Sequence, residues 1–217
     1  MVSALATILN DESVACTGAS RTDAGVHAIG QIANVRLPTD RTISCRALYR
    51  GLNSLTPDDI VITDVQDAPP DFHARFDARA KTYCYQIMNA PNNSVYHRRF
   101  AWHIRHPLRL DAMRAASKYL LGCHDFAAFQ AASCSAETSI RTVFGLHIVQ
   151  DKTMVRCFIK ANAYLHRMVR NIVGTLVEVG LERRAPDDMG AILAGKDRQL
   201  AGVTAPARGL FLVKVHY

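Results

Sequence analysis

Between residues 165 and 177 the apolar side chains Leu165, Met168, Val169, Ile172, Val173, Leu176 and Val177 recur at i, i+3 and i+4. That spacing places them on one stripe of an α-helix about three turns long. The chain just before it has a different period. Residues 143–149 and 154–161 are rich in β-branched and aromatic side chains and flank Gln150-Asp151-Lys152-Thr153, which predicts a β-hairpin. A hairpin followed directly by an amphipathic helix calls for helix packed on sheet.

The remaining segments extend that pattern. Leu5, Ile8 and Leu9 predict a helix over 2–9, stopped by Asn10-Asp11. Strands are expected at 13–17 and 31–37, with a polar, glycine-containing loop between them. A short helix should follow Ser44 through Leu48, Leu52 and Leu55, and a strand over 59–65 carries Ile60 and Ile62. Ala68-Pro69-Pro70-Asp71 reads as a linker. Tyr83, Tyr85 and Ile87 alternate with Thr82, Cys84 and Gln86, a strand signature over 81–88. Helices are expected at 110–121 and around 189–193, and a closing strand at 210–217. Strands and helices mix without a regular βαβ alternation, so the fold class is α+β with mainly antiparallel sheet. Two α/β parts are expected, residues 1–69 and 70–217.

With 49% hydrophobic residues the 217-residue chain can bury a core. Its 26 Lys and Arg against 19 Asp and Glu give a net charge of +7, which favours a polyanionic partner, most simply nucleic acid. Arg98, Arg99, Arg105, Arg109, Arg114 and Lys118, with Phe100 and Trp102 among them and only Asp111 against them, form the best candidate surface. For any single one of these cations a solvated helix face is the plainer reading. The six cysteines lack a CxxC pair or a zinc-finger register and read as thiols of a reducing compartment. No secretory leader or membrane-length apolar run is seen, so a cytoplasmic protein without a membrane partner is expected. His97, His103 and His106 have no companion carboxylate at ligand spacing, and no metal is expected.

The loop between the first two strands holds Gly18-Ala19-Ser20-Arg21-Thr22-Asp23-Ala24-Gly25-Val26-His27-Ala28. Gly25 can make a tight turn, and Arg21 can keep the Asp23 carboxylate ionised. Taken alone, Asp23 reads better as a turn residue bonding backbone N–H groups than as a nucleophile. The longer run from Arg21 to Ala28 resembles the signature loop of the TruA family of tRNA pseudouridine synthases, with Ser20 where that family usually has Gly. Further blocks resemble the family in the same order: Asp71 to Phe76 with Ala80 to Tyr85, Gly122 to Phe126, Ser139 to Thr142, Ala161 to Gly174, and Ala205 to Leu210.

The resemblance implies two ferredoxin-like (RRM-like) halves, a homodimer, and isomerisation of uridine to pseudouridine in the tRNA anticodon stem-loop at positions 38–40. It implies Asp23 as the catalytic carboxylate, Tyr83 as the aromatic group on the target uracil, and Arg170 as the cationic partner. Arg21, His27, Arg75, Arg98, Arg99 and His166 are the expected substrate-binding residues. Without the family, Tyr83 would read as an ordinary strand aromatic. Arg170 lies at the border of the apolar stripe, one turn after His166, where a partly buried charge with a partner would sit, although a snorkelling surface arginine has the same pattern. The isomerisation needs no redox cofactor and no metal. Asp23 could attack C1′ or remove the 2′ proton, and the residues do not choose between the two. Family members carry an additional N-terminal strand with Tyr-Asp-Gly and Gly-Trp-Gln segments, roughly one strand plus half a helix of a ~30-residue βα unit. Its absence predicts impaired folding or activity, and a tRNA-binding module without turnover is the rival expectation. An Asp-dependent nucleoside glycosidase is disfavoured because no second carboxylate is placed for acid work.

Overall fold

The computed structural model describes residues 1–37, 43–134 and 136–217. It divides into two units, residues 1–20 with 32–77, and residues 21–31 with 78–217.

In the first unit, helix α1 (Val2–Leu9) ends at Asn10 in the left-handed conformation, whose N–H reaches the last turn. Strands β1 (Cys16–Gly18) and β3 (Ala33–Val35) pair antiparallel. Helix α2 (Cys45–Leu55) begins at Ser44, whose hydroxyl accepts from the Ala47 N–H at 3.2 Å, as an N-cap serine should. Ala4, Leu5, Leu9, Val14 and Leu52 form the buried cluster of this unit. The strand expected over 59–65 does not form. Instead the Asn53 side chain brackets Ile62, donating to its carbonyl at 2.9 Å and accepting from its N–H at 2.8 Å. One amide thus replaces a ladder partner, so alternation of Ile60 and Ile62 was a sign of one-sided burial and not of a sheet.

The second unit is built on a seven-stranded mixed sheet. Strands β2 (His27–Ala28), β9 (Leu210–His216), β4 (Ala80–Asn89), β8 (Met154–Ala161), β7 (Ile140–Asp151) and β6 (Gly122–Asp125) lie in that order. Strand β5 (Trp102–Ile104) pairs parallel with the far end of β4. The β2–β9 pairing is also parallel, and the others are antiparallel. Strand β4 is central and buried on both faces, with Tyr85 and Ile87 fully enclosed. The expected hairpin is present as β7 and β8, turning through Lys152 at φ 52°.

Helix α3 (Leu110–Ser117) stops short of the expected 121, because residues 118–120 tighten into a 3₁₀ turn. Helix α4 (Met168–Gly180) carries the apolar stripe, and Met168, Ile172, Val173 and Leu176 are fully buried. Each such side chain contributes roughly 1.5–3 kcal/mol through burial. Helix α5 (Asp188–Gly195) completes the unit. The structure is therefore mixed α and β, of the α+β kind.

Two polar residues inside α4 decide how the following chain lies. Asn171 is 1% exposed; it donates to the Phe129 carbonyl at 2.7 Å and accepts from Thr204 at 2.7 Å and Arg198 at 3.2 Å. Thr175 accepts from the Gly202 N–H at 2.9 Å. The backbone of Val203 passes so close that a Cβ on Gly174 would lie 1.6 Å from its carbonyl oxygen. Only glycine permits that approach.

Candidate active site

The loop over 21–31 belongs to the second unit together with α4. Its turn is set by Gly25 at φ +80°, with the Val26 N–H on the Asp23 carbonyl at 3.0 Å. A left-handed third position in a four-residue turn is the signature of a type II turn and favours glycine. The space is not the constraint, since a Cβ there would be 3.5 Å from that of Ala207, an ordinary contact. After the turn, β2 docks parallel on β9, and the Ile29 and Gly30 N–H groups both donate to the Leu212 carbonyl.

This docking brings the Asp23 carboxylate, 24% exposed, to the start of α4. Arg170 Nη1 meets Asp23 Oδ2 at 2.5 Å, and His166 Nε2 meets Oδ1 at 3.1 Å. Arg167 Nε lies 4.0 Å from Oδ2. Each carboxylate oxygen thus has its own donor. Arg170 is itself braced: its Nε donates to the Ala205 carbonyl at 2.7 Å, and its backbone carbonyl accepts from the Ala205 N–H at 3.1 Å. Its side chain is only 14% exposed, so the pair is screened little by solvent. The guanidinium bonds the carbonyl and the carboxylate from two different nitrogens of one rigid planar fork, a fixed geometry that a lysine ammonium lacks.

Tyr83 occupies β4, 5% exposed, with its ring edge-on to Tyr164 at 4.9 Å and 82°. Burial pushes the Tyr164 phenol well above its ordinary range. Its hydroxyl lies 2.7 Å from the Ile159 carbonyl and 3.0 Å from that of Lys81. His27 is stacked on Phe211 at 4.8 Å and tilted against Phe100 at 5.0 Å, with Nε2 at 3.0 Å from the Arg99 carbonyl. It ties the Asp23 loop to the basic segment holding the exposed Arg98 and Arg99. Arg21 is exposed in the loop. Arg75 belongs to the first unit and lies over the Phe76 ring at 5.7 Å.

The other expected basic residues divide. Arg105 and Lys118 are exposed. Arg109 is paired with Asp111 and Glu182, and Arg114 donates to the Ile148 carbonyl at 3.0 Å. Two residues of the site were not anticipated. Arg167 extends the cationic rim from one position before α4, and Ser133 Oγ sits 3.1 Å from His166 Nδ1. The Arg167-Met168-Val169-Arg170 spacing could have suggested the first; nothing local marks Ser133. Among the described residues, no group of three or more His, Cys, Asp or Glu side chains is arranged to hold a metal ion. No helix is long and apolar enough to cross a membrane among them.

A family profile described as tRNA pseudouridine synthase matches residues 116–217. The chain is 45% identical over 206 residues to tRNA pseudouridine synthase A of Thermoanaerobacter sp. (strain X514), covering 95% of this chain and 84% of that protein. It is 44% identical over 214 residues to tRNA pseudouridine synthase A of Shouchella clausii (strain KSM-K16), covering 99% and 81%. With tRNA pseudouridine synthase A 2 of Clostridium tetani (strain Massachusetts / E88) it shares 43% identity over 206 residues, covering 95% and 82%. Identity at that level over most of both chains places this protein in the tRNA pseudouridine synthase A family.

Proposed function

We propose that this chain isomerises uridine to pseudouridine in the anticodon stem-loop of tRNA, at positions 38–40, with Asp23 as the essential carboxylate. The observation that carries the reading is the Asp23 carboxylate held between Arg170 and His166. In the reaction the N1–C1′ bond breaks, the base turns while held, C5 bonds to C1′, and the C5 proton leaves while N1 gains one. Held by Arg170 and His166, the Asp23 carboxylate is oriented to act on C1′ or on the 2′ proton. Tyr83 is proposed to take the uracil face and to assist loss of the C5 proton, since a phenol offers both a ring and an oxygen.

Extruding the target base costs a few kcal/mol, which RNA binding must supply. Arg21, Arg75, Arg98 and Arg99 are proposed to contact phosphates, with His27 holding the loop against the segment of Arg98 and Arg99. A cytoplasmic homodimer, with each chain made of two ferredoxin-like parts over 1–69 and 70–217, is part of the same proposal. Tritium at uracil C5 of an unmodified tRNA transcript gives the test. Release by the parent chain and a fall of at least about 10³-fold in Asp23→Ala are expected. Release unchanged by that substitution would remove Asp23 from the mechanism, and tRNA binding without release by the parent chain would mark a binding module.

A further inference from the structure

We infer that Ser133, His166 and Asp23 form a positioning relay, in which Ser133 fixes the imidazole and the imidazole fixes the carboxylate. His166 then acts through Asp23 and is not a direct substrate contact. The inference rests on the Asp23 assignment above and goes beyond it by giving roles to two further residues.

Proton accounting supports it. An ionised carboxylate only accepts, so Nε2 of His166 must carry a hydrogen toward Asp23 Oδ1. Nδ1 then faces a serine hydroxyl at 3.1 Å, which donates to the neutral ring or accepts from the charged one. Either way Asp23 selects the form with hydrogen on Nε2, and Ser133, which can donate or accept, holds the orientation of the ring from its other nitrogen. The charged group on this ring is Asp23, which Arg167 and Arg170 also face.

The backbone around the relay is braced from two sides. The Ala131 N–H donates to the His166 carbonyl at 3.0 Å, and Asn171 holds the Phe129 carbonyl, so the segment leading to Ser133 is tied to α4. Arg167 adopts φ 61° and ψ 8°, a left-handed conformation costly for a residue with a side chain. This step in the backbone lies between His166 and the first turn of α4, and both His166 and Arg170 reach Asp23 across it. Strain retained beside reacting groups is a mark of positioning. Two donors on different oxygens fix the plane of the carboxylate, where Arg170 alone would leave it free to rotate about one contact.

The test compares His166→Leu, His166→Gln, Ser133→Ala and the double variant Ser133→Ala/His166→Leu, with Asp23→Asn alongside, in single-turnover tritium release and tRNA binding. His166→Leu should lower the maximal rate about 10- to 100-fold with tRNA affinity within about threefold, the size of a lost bond to a charged group. His166→Gln, whose amide nitrogen reaches the Nε2 position, should recover most of that loss. Ser133→Ala should lower the rate about 3- to 10-fold, and the double variant should be no slower than His166→Leu. A weakened affinity with an unchanged maximal rate would make His166 a substrate contact and overturn the relay. Multiplicative losses in the double variant, or no rescue by Gln in a variant that melts and binds tRNA like the parent, would also overturn it. Full release by Asp23→Asn would instead overturn the reading on which the relay rests.

Discussion

The Asp23 loop and helix α4 contribute opposite charges to one ion pair, but they are held in different ways. Helix α4 is fixed by burial: Ile172, Val173 and Leu176 are wholly enclosed, and Asn171 and Thr175 bind the neighbouring chain from inside it. The loop has a glycine turn, a two-residue strand and a histidine between two phenylalanine rings. The Asp23 carboxylate thus stands on the weakly held side and its cation on the rigid side. Reactive groups on loops positioned by a rigid scaffold are a general arrangement, and the cost is that small changes in the loop reach the chemistry before they reach the fold.

Three substitutions would break or sharpen that contrast. The largest effect is expected for Gly174→Ala. Helix propensity favours alanine by ~1 kcal/mol, but the new Cβ would meet the Val203 carbonyl at 1.6 Å. Sterics win, and a loss of about 3 kcal/mol or more should lower the melting temperature by roughly 6–12 °C; a rise in calorimetry would show that the 201–205 segment yields freely. Gly25→Ala should behave in the opposite sense. The site has room but φ is +80°, so strain of about 1–2 kcal/mol should slow tritium release about tenfold while lowering melting by only about 2–8 °C. Equal losses of melting temperature in both variants would erase the distinction.

The smallest effect concerns a carboxylate outside the site. The Ser139 hydroxyl, at 2.5 Å, and Lys196 hold the Asp125 carboxyl below its ordinary value of 3.8. A depressed folded-state pKa stabilises above the unfolded value, and that contribution disappears as pH falls through the lower one. Ser139→Ala should therefore cost about 1–3 °C of melting temperature at pH 6 and progressively less below pH ~4. A difference that persists unchanged at pH 2.5 would mean that the hydroxyl acts by packing.

Local pattern was sufficient where local packing makes the element. The stripe of α4, the β7–β8 hairpin and the alternation in β4 follow from periodicity, because each buries its own face over consecutive residues. Strands β2, β5 and β6 are two to four residues long and pair with partners that no local period reveals. The expected strand at 59–65 was misread because alternation reports burial, whereas a strand also needs a ladder, and Asn53 supplied two bonds instead. Within the site, Asp23, His166 and Arg170 stand in the motif-bearing runs, while Ser133 lay in a segment with no chemical context until the fold set it on His166.

By itself, then, the sequence determined the longer elements of the second unit, β4, β7, β8, β9 and α4, and which blocks tie the chain to its family, because side-chain period and residue identity are local properties. Tertiary structure alone decided which oxygen of Asp23 faces which donor, why Arg167 joins the rim, and how Ser133 enters the site. Those relations join residues far apart in the chain, as in the 143 positions separating Asp23 from His166. They arise only when β2 docks on β9 and the 129–134 segment is tied to α4, since a hydrogen bond depends on where atoms meet in space and not on where their residues stand in order.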